Sequence, residues 1–345
     1  MNKNGRLVRL AAAFALSLFT VESVLANPTY QLLQFEDLSG WEDDDHRTAM
    51  DVFLSTCNDM KDPSWASLCS VAKSGQDPKA FFEHFFTPVL IDDGQDALFT
   101  GYFEPELRGS LNRGGPYQYP LYRLPPVPGE LSRREIEETN AFDGLGLEIA
   151  WIDDPVDVFF LQVQGSGRVK LDTGGVVRVG YGGANGREYS SVGMELVARG
   201  IYQPHQVSAD VIRNWVRNNG EDGRQLLWTN ESYVFFREVN EVPPEMGPLG
   251  AMNRSVTPMR TVAIDPSYIP YGAPVWIEKE GANPLNRLMV AQDTGSAIRG
   301  SQRADIFFGT GDTAGRDAGR IKDGGRLVVL MPIQTAYALL PDVIE

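Results

Sequence analysis

RTVAIDPSYIPYGAPVWI (260–277), LMVAQDTGSAIRG (288–300), ADIFFGTGDTAG (304–315) and GRLVVLMP (325–332) follow one another in the last quarter of the chain. Short apolar runs alternate with turns marked by Gly and Pro, a pattern that predicts a small, twisted, closed β-structure. Asp265 and Asp293 stand at the ends of apolar runs, and Asp305 at the start of one. A closed barrel can gather such residues although they are distant in sequence. Asp293 and Asp305 also flank a turn containing Gly295 and Gly300, which would place them on neighbouring strands. Two carboxylates in one partly dry site cannot both ionise freely, and one pKa rises until that group can serve as an acid near neutral pH. Taken singly, each Asp also reads as a turn cap. Three of them framed by strands read as a candidate site.

Upstream, Asp45–Ser55, Trp65–Ala72 and Pro78–Phe86 carry helical periodicity, the last with Phe81, Phe82, Phe85 and Phe86 on an inward face. From Ala97 the pattern changes to strands: LFTGYFEPEL, then a Gly- and Pro-rich hairpin region over 109–126. Ser132 caps a helix predicted over Arg133–Thr139. VDVFFLQVQGSGRVKL (156–171) and VVRVGYGGANG (176–186) read as alternating strands with Gly-rich turns. Helices follow over Ser191–Arg199, stopped at Gly200, and over Ala209–Asn218, stopped at Asn219-Gly220. NESYVFFREV (230–239) returns to strand, and EVPPEMGPLG (241–250) reads as a linker. The fold class expected is therefore mainly β, with a few peripheral helices. A β-rich unit over 107–242 would be inserted into a first unit made of 27–106 and 243–345.

Residues 1–26 read as a signal peptide: Lys3, Arg6 and Arg9, then an apolar stretch Leu10–Phe19, then Val24-Leu25-Ala26 before Asn27-Pro28. A retained anchor is the alternative. With no Cys at the cleavage point, a lipid-anchored form is not expected; an exported protein, periplasmic or associated with the outer membrane, is. The chain has two cysteines, Cys57 and Cys69. In an oxidising compartment they predict one disulfide, with two buried thiols as the alternative. His46, His84 and His205 are the only histidines, which argues against a zinc enzyme and leaves an all-oxygen ion site open. A net charge of −15 disfavours nucleic acid and anionic membranes as partners.

Several catalytic patterns are excluded. The chain has no G-x-S-x-G elbow, no Walker loop and no H-E-x-x-H. Asp172-Thr173-Gly174 and Asp293-Thr294-Gly295 imitate the paired tripeptides of an aspartic protease. Their contexts do not match as duplicated lobes would, and the first lies in a polar hairpin beside Lys170 and Arg178. Tyr102, Gln162, Gln164, Ser166 and Asn185 offer uncharged hydrogen bonding beside flat apolar faces. That mixture suits sugars, and equally the polar surface of a strand.

FTGYFEPEL (99–107), YPLYRLP (119–125), LQVQGSGRV (161–169), YGGANGREYSSVG (181–193), NESYVFFRE (230–238) and AQDTGSAIRGSQRADIFFGTGDTAGRDAGR (291–320) resemble the membrane-bound lytic murein transglycosylase A family. The resemblance runs in order from about 97 to 331. It implies a double-psi β-barrel with an inserted β-domain and a glycan groove between them. It further implies cleavage of the β-1,4 bond between N-acetylmuramic acid and N-acetylglucosamine in peptidoglycan, leaving a 1,6-anhydro end. By position the family's catalytic acid falls on Asp305, with Asp293 and Asp265 as companion carboxylates. Thr100, Tyr102, Gln164, Ser166 and Asn185 are the residues expected to bind the glycan. No metal or organic cofactor is expected. The partners expected are glycan strands and wall-remodelling proteins, met by a monomer. Without a lipobox Cys the chain departs from lipoprotein members of the family. A non-catalytic wall-binding module and a hydrolase that adds water are the rival readings.

Overall fold

The structure, a computed structural model, describes residues 27–340 except 61, 128 and 130. The predicted signal peptide lies outside the described residues. Two sheets organise the chain. The first has nine strands, built from segments between Thr29 and Glu104 and between Thr261 and Pro332; the second has six, all from Glu106 to Glu238.

In the first sheet, Thr261–Ile264 lies between Leu285–Asp293, to which it is parallel, and Arg303–Thr310, to which it is antiparallel. Arg303–Thr310 in turn pairs in parallel with Leu98–Glu104. Two parallel pairs made by strands distant in sequence are the double-psi arrangement. The sheet curls back on itself where Lys322–Asp323 pairs with Leu98–Glu104 and, beyond Gly324, Gly325–Pro332 pairs with Pro274–Lys279. Lys279, its side chain buried, seals this seam by donating to Asp323 Oδ2 at 2.8 Å. Gly101 is required where the helix Gly311–Ala318 presses on the barrel, because a Cβ there would lie 2.7 Å from Ala318 Cα.

The main core joins the barrel interior to the N-terminal helices, with Trp41, Phe53, Phe81, Phe82, Phe86 and Trp276 all but fully buried. Cys57, at the end of the helix His46–Thr56, is joined by a disulfide to Cys69 within the helix Pro63–Ala72.

One sequence expectation is corrected here. Residues 155–164 form a helix, Pro155–Gln164, and only Gly167–Leu171 of the segment predicted as strand is one. Val156, Val158, Phe159, Phe160 and Leu161 are all buried, so the helix is covered on more than one face and shows no clean stripe. A second helix, Gly220–Trp228, follows directly where the preceding one was expected to end.

The chain leaves the barrel at Glu104-Pro105 and returns through 239–260. Glu104, fully buried, ties both crossings. It accepts from Arg168 Nε and Arg178 Nε, each at 2.8 Å, and from Thr310 Oγ1. The same guanidinium groups donate to the carbonyl oxygens of Pro243 and Met246 on the returning segment.

Candidate active site

Strand register sets the site. Ala263 is the pairing partner of both Asp293 and Asp305, and Asp305 is also the partner of Thr100. Cross-strand partners share a face of the sheet, so Thr100, Asp305, Ala263 and Asp293 form one row across four strands. The two aspartates are not on neighbouring strands, as the intervening turn suggested. Thr261–Ile264 runs between them, which puts their backbones about 9–10 Å apart. The small side chain of Ala263 sits between them in the row and lines the cavity together with both carboxylates.

The cavity has a volume of about 180 Å³. One wall is the barrel: Tyr102, Ala263, Asp293, Ser296, Arg303 and Asp305. The other is the second sheet and its helices, including Arg133, Gln162, Gln164, Tyr189 and Ser232. Gln164 also spans the two units, accepting from the backbone N–H of Phe103 at 3.0 Å.

The two acids are held differently. Asp293 Oδ2 accepts from the Tyr102 hydroxyl at 2.9 Å, and its Oδ1 from the N–H groups of Ala251 and Thr294 at 3.0 and 2.9 Å. Burial nevertheless pushes its carboxyl up to about 6, with the charge of Asp305 adding to the rise and the donors opposing it. Asp305 has one side-chain donor among the described residues: the Thr100 hydroxyl, 2.6 Å from Oδ1. Burial raises its carboxyl too, against the Thr100 hydrogen bond and the positive charge of Arg303. Burial and the neighbouring Asp293 and Asp305 push the Tyr102 hydroxyl well above its ordinary value, so it stays a donor. Both carboxyls are therefore raised by burial, and the charge of Asp305 adds to the rise at Asp293.

The other candidates separate from this row. Asp265 is buried but does not line the cavity. Burial opposes its ionisation, yet hydrogen bonds from Gly300 and Ser267, with Arg299 nearby, outweigh that and hold its carboxyl below the ordinary range. It behaves as a turn and loop tie. Tyr102 and Gln164 line the cavity, and Thr100 reaches it through Asp305. Ser166 is buried just past the helix end at Gly165 and does not line it. Asn185 spends its amide on the protein, donating to the carbonyls of Leu131 and Glu231 and accepting from the N–H groups of Tyr233 and Arg187. Asp172 is exposed in the hairpin turn, so no second Asp-Thr-Gly reaches the site. Sequence reasoning missed Arg303. The period of two along Arg303–Thr310 would have put it on the same face as Asp305. Among the described residues, no group of three or more His, Cys, Asp and Glu could hold a metal ion.

The buried acid pair lies in a cleft between the barrel and the second sheet, and the relatives of this chain are lytic murein transglycosylases. Residues 98–131 and 128–237 match the family described as the MltA specific insert domain, and residues 260–331 match the 3D domain. The membrane-bound lytic murein transglycosylase A of Vibrio cholerae serotype O1 is 34% identical over 266 residues, covering 73% of this chain and 71% of that protein. A membrane-bound lytic murein transglycosylase from Agrobacterium tumefaciens superposes with a TM-score of 0.80 at 31% identity, over 90% of this chain and all of that one. Escherichia coli MltA with bound chitohexaose superposes with a TM-score of 0.70 at 29% identity, over 86% of this chain and 90% of that one. The chain belongs to the membrane-bound lytic murein transglycosylase A family.

Proposed function

We propose that this protein is an exported lytic transglycosylase. It cleaves the β-1,4 bond between N-acetylmuramic acid and N-acetylglucosamine in peptidoglycan and closes a 1,6-anhydro ring, with Asp305 as acid and then base. The observation that carries this reading is the unequal hydrogen bonding of the buried pair. Three donors suit the ionised form of Asp293, whereas Asp305 accepts from one and retains an oxygen to carry a proton. Asp305 delivers that proton to the departing glycosidic oxygen. The Asp293 carboxylate stabilises the positive charge developing at C1. The C6 hydroxyl of the muramic residue then attacks C1 and returns a proton to Asp305, so no water enters the balance and no second catalytic base is required. A hydrolase would need a carboxylate to activate water or to form a glycosyl ester.

In this reading 27–106 and 243–345 form the catalytic unit and 107–242 the opposite wall of the groove. Tyr102 and Gln164 contact the glycan, and Thr100 acts through Asp305. The protein works as a monomer on glycan strands in the periplasm, alongside wall-remodelling proteins. The test is mass spectrometry of soluble products from purified sacculi. Muropeptides lighter by one water than reducing ends support the reading; reducing ends refute the ring closure. Binding without release of soluble fragments refutes the enzyme.

A further inference from the structure

Arg303 lies two residues before Asp305 on the same strand, both line the cavity, and nothing in the proposed chemistry uses its charge directly. Its guanidinium is committed. Nη2 donates to Thr100 Oγ1 at 2.8 Å, and Nη1 donates to the carbonyl oxygens of Ala304 and Leu98 at 2.6 and 3.2 Å. Thr100 Oγ1 in turn donates to Asp305 Oδ1 at 2.6 Å. A hydroxyl has one proton and two lone pairs. With an Arg N–H directed at Oγ1, the hydroxyl proton has one productive direction, toward Asp305.

We infer that Arg303 is a positioning residue for proton transfer: by fixing the direction of the Thr100 hydroxyl, it confines the acidic proton of Asp305 to Oδ2, the oxygen left for substrate. This rests on Asp305 being the proton donor. Without Arg303 the Thr100 hydroxyl can rotate and accept. Asp305 Oδ1 then becomes protonated toward Thr100, and the proton is parked away from the glycosidic oxygen. The step itself is unchanged: the O–H bond at Asp305 breaks as the leaving oxygen gains the proton, and the C6 hydroxyl later restores it.

The groups facing Asp305 are few. Arg303 comes from its own strand, and Thr100 and Tyr102 from Leu98–Glu104. Asp293 stands across Ala263, and Lys322 is the exposed pairing partner on the far side of Thr100. Among these, Arg303 opposes the rise of the Asp305 carboxyl. Its removal therefore has two separable effects. Loss of charge moves the alkaline limb of activity to higher pH, and loss of the Thr100 constraint lowers the plateau rate.

The experiment is a double-mutant cycle on the full chain, with initial rates on sacculi measured across pH. Arg303→Met is expected to lower the plateau roughly tenfold, a part of the ~10²–10⁴ that general acid–base assistance supplies, and to move the alkaline limb upward. In a Thr100→Val background, which already lacks the hydroxyl, Arg303→Met should lower the plateau no further, although the limb still moves. Arg303→Lys, which keeps a charge and donors, should leave the limb in place and recover much of the plateau. An equal plateau loss in both backgrounds, or none in the wild-type background, overturns the inference. Should Arg303→Met not fold, Thr100→Val against Thr100→Ser decides: Ser is expected to restore rate and limb together, and identical profiles overturn the inference. Full activity in Asp305→Asn would instead remove the underlying assignment, a result distinct from failure of the cycle.

Discussion

Replacing Asp293 with Asn removes a carboxylate whose ionisation the fold opposes. Its carboxyl is held at about 6 in the folded protein against an ordinary 3.8. At about 1.4 kcal/mol for each pH unit, the ionised form costs the fold about 3 kcal/mol, and water entering the cavity reduces this to roughly 2 kcal/mol. The sign follows from a raised folded-state value. The stability associated with the protonated group is complete below 3.8 and is lost as pH rises through about 6. Asp293→Asn should therefore be more stable than wild type by roughly 2 kcal/mol at pH 7–8, with the gain shrinking to about 0.5 kcal/mol near pH 4. The amide oxygen can still accept from Ala251 and Thr294, and the Tyr102 hydroxyl can turn to accept from the amide. Urea denaturation at several pH values measures the difference. The same variant loses the negative charge beside Asp305, so turnover should fall and its alkaline limb should move to lower pH. A variant no more stable than wild type at pH 8, with the same pH dependence, would refute the reasoning.

Asp305→Asn should abolish release of soluble muropeptides while glycan affinity stays close to wild type and the fold is no less stable, since the amide preserves shape but neither donates an acidic proton nor accepts one from C6; turnover assays and binding isotherms check both halves. Replacing Cys57 and Cys69 with Ser opens a loop with a sequence separation of 12, which by chain entropy should cost about 3 kcal/mol, read as a lower denaturation midpoint in the absence of reductant. Glu104→Gln leaves one buried and one half-buried guanidinium group, on Arg178 and Arg168, without their charge partner at the crossings between the sheets and should destabilise by ~3–5 kcal/mol; an effect below about 1 kcal/mol would show that these crossings are held by other contacts.

The barrel was legible because strands of period two bounded by Gly and Pro leave a clear trace, and because Asp293 and Asp305 sit where such strands enter and leave the core. Their mutual placement was not legible. A turn joins them in sequence, but Thr261–Ile264, from earlier in the chain, inserts between their strands, and non-local pairing of that kind leaves no local signal. Pro155–Gln164 was misread because Val and Phe favour strands and the helix is buried on several faces. Its true boundaries were nonetheless written in Asp154, which caps the helix by accepting from Val156 N–H, in Pro155 at the first turn, and in Gly165 at φ 78°. Asp265 resembled its neighbours by position along a strand end. Its role was set by where the backbone turned afterwards, toward the N–H groups of Ser267 and Gly300. Asn185 looked like a sugar ligand for the same chemistry that makes it a good internal tie.

The pairing of Thr100 with Asp305 spans 205 residues of chain, and the whole second sheet lies between the strands that carry them. That sheet is assembled from strands drawn entirely from residues 106–238 and can form early in folding. The barrel cannot, because Arg303–Thr310 and Lys322–Asp323 come late in the chain and must find a partner, Leu98–Glu104, made long before. Contacts of such sequence separation are slow to form, since the loop-closure entropy falls due before they can reward it. The acid pair is thus among the last parts of the molecule to exist. A chain cut short before these strands holds the second sheet without the acid pair.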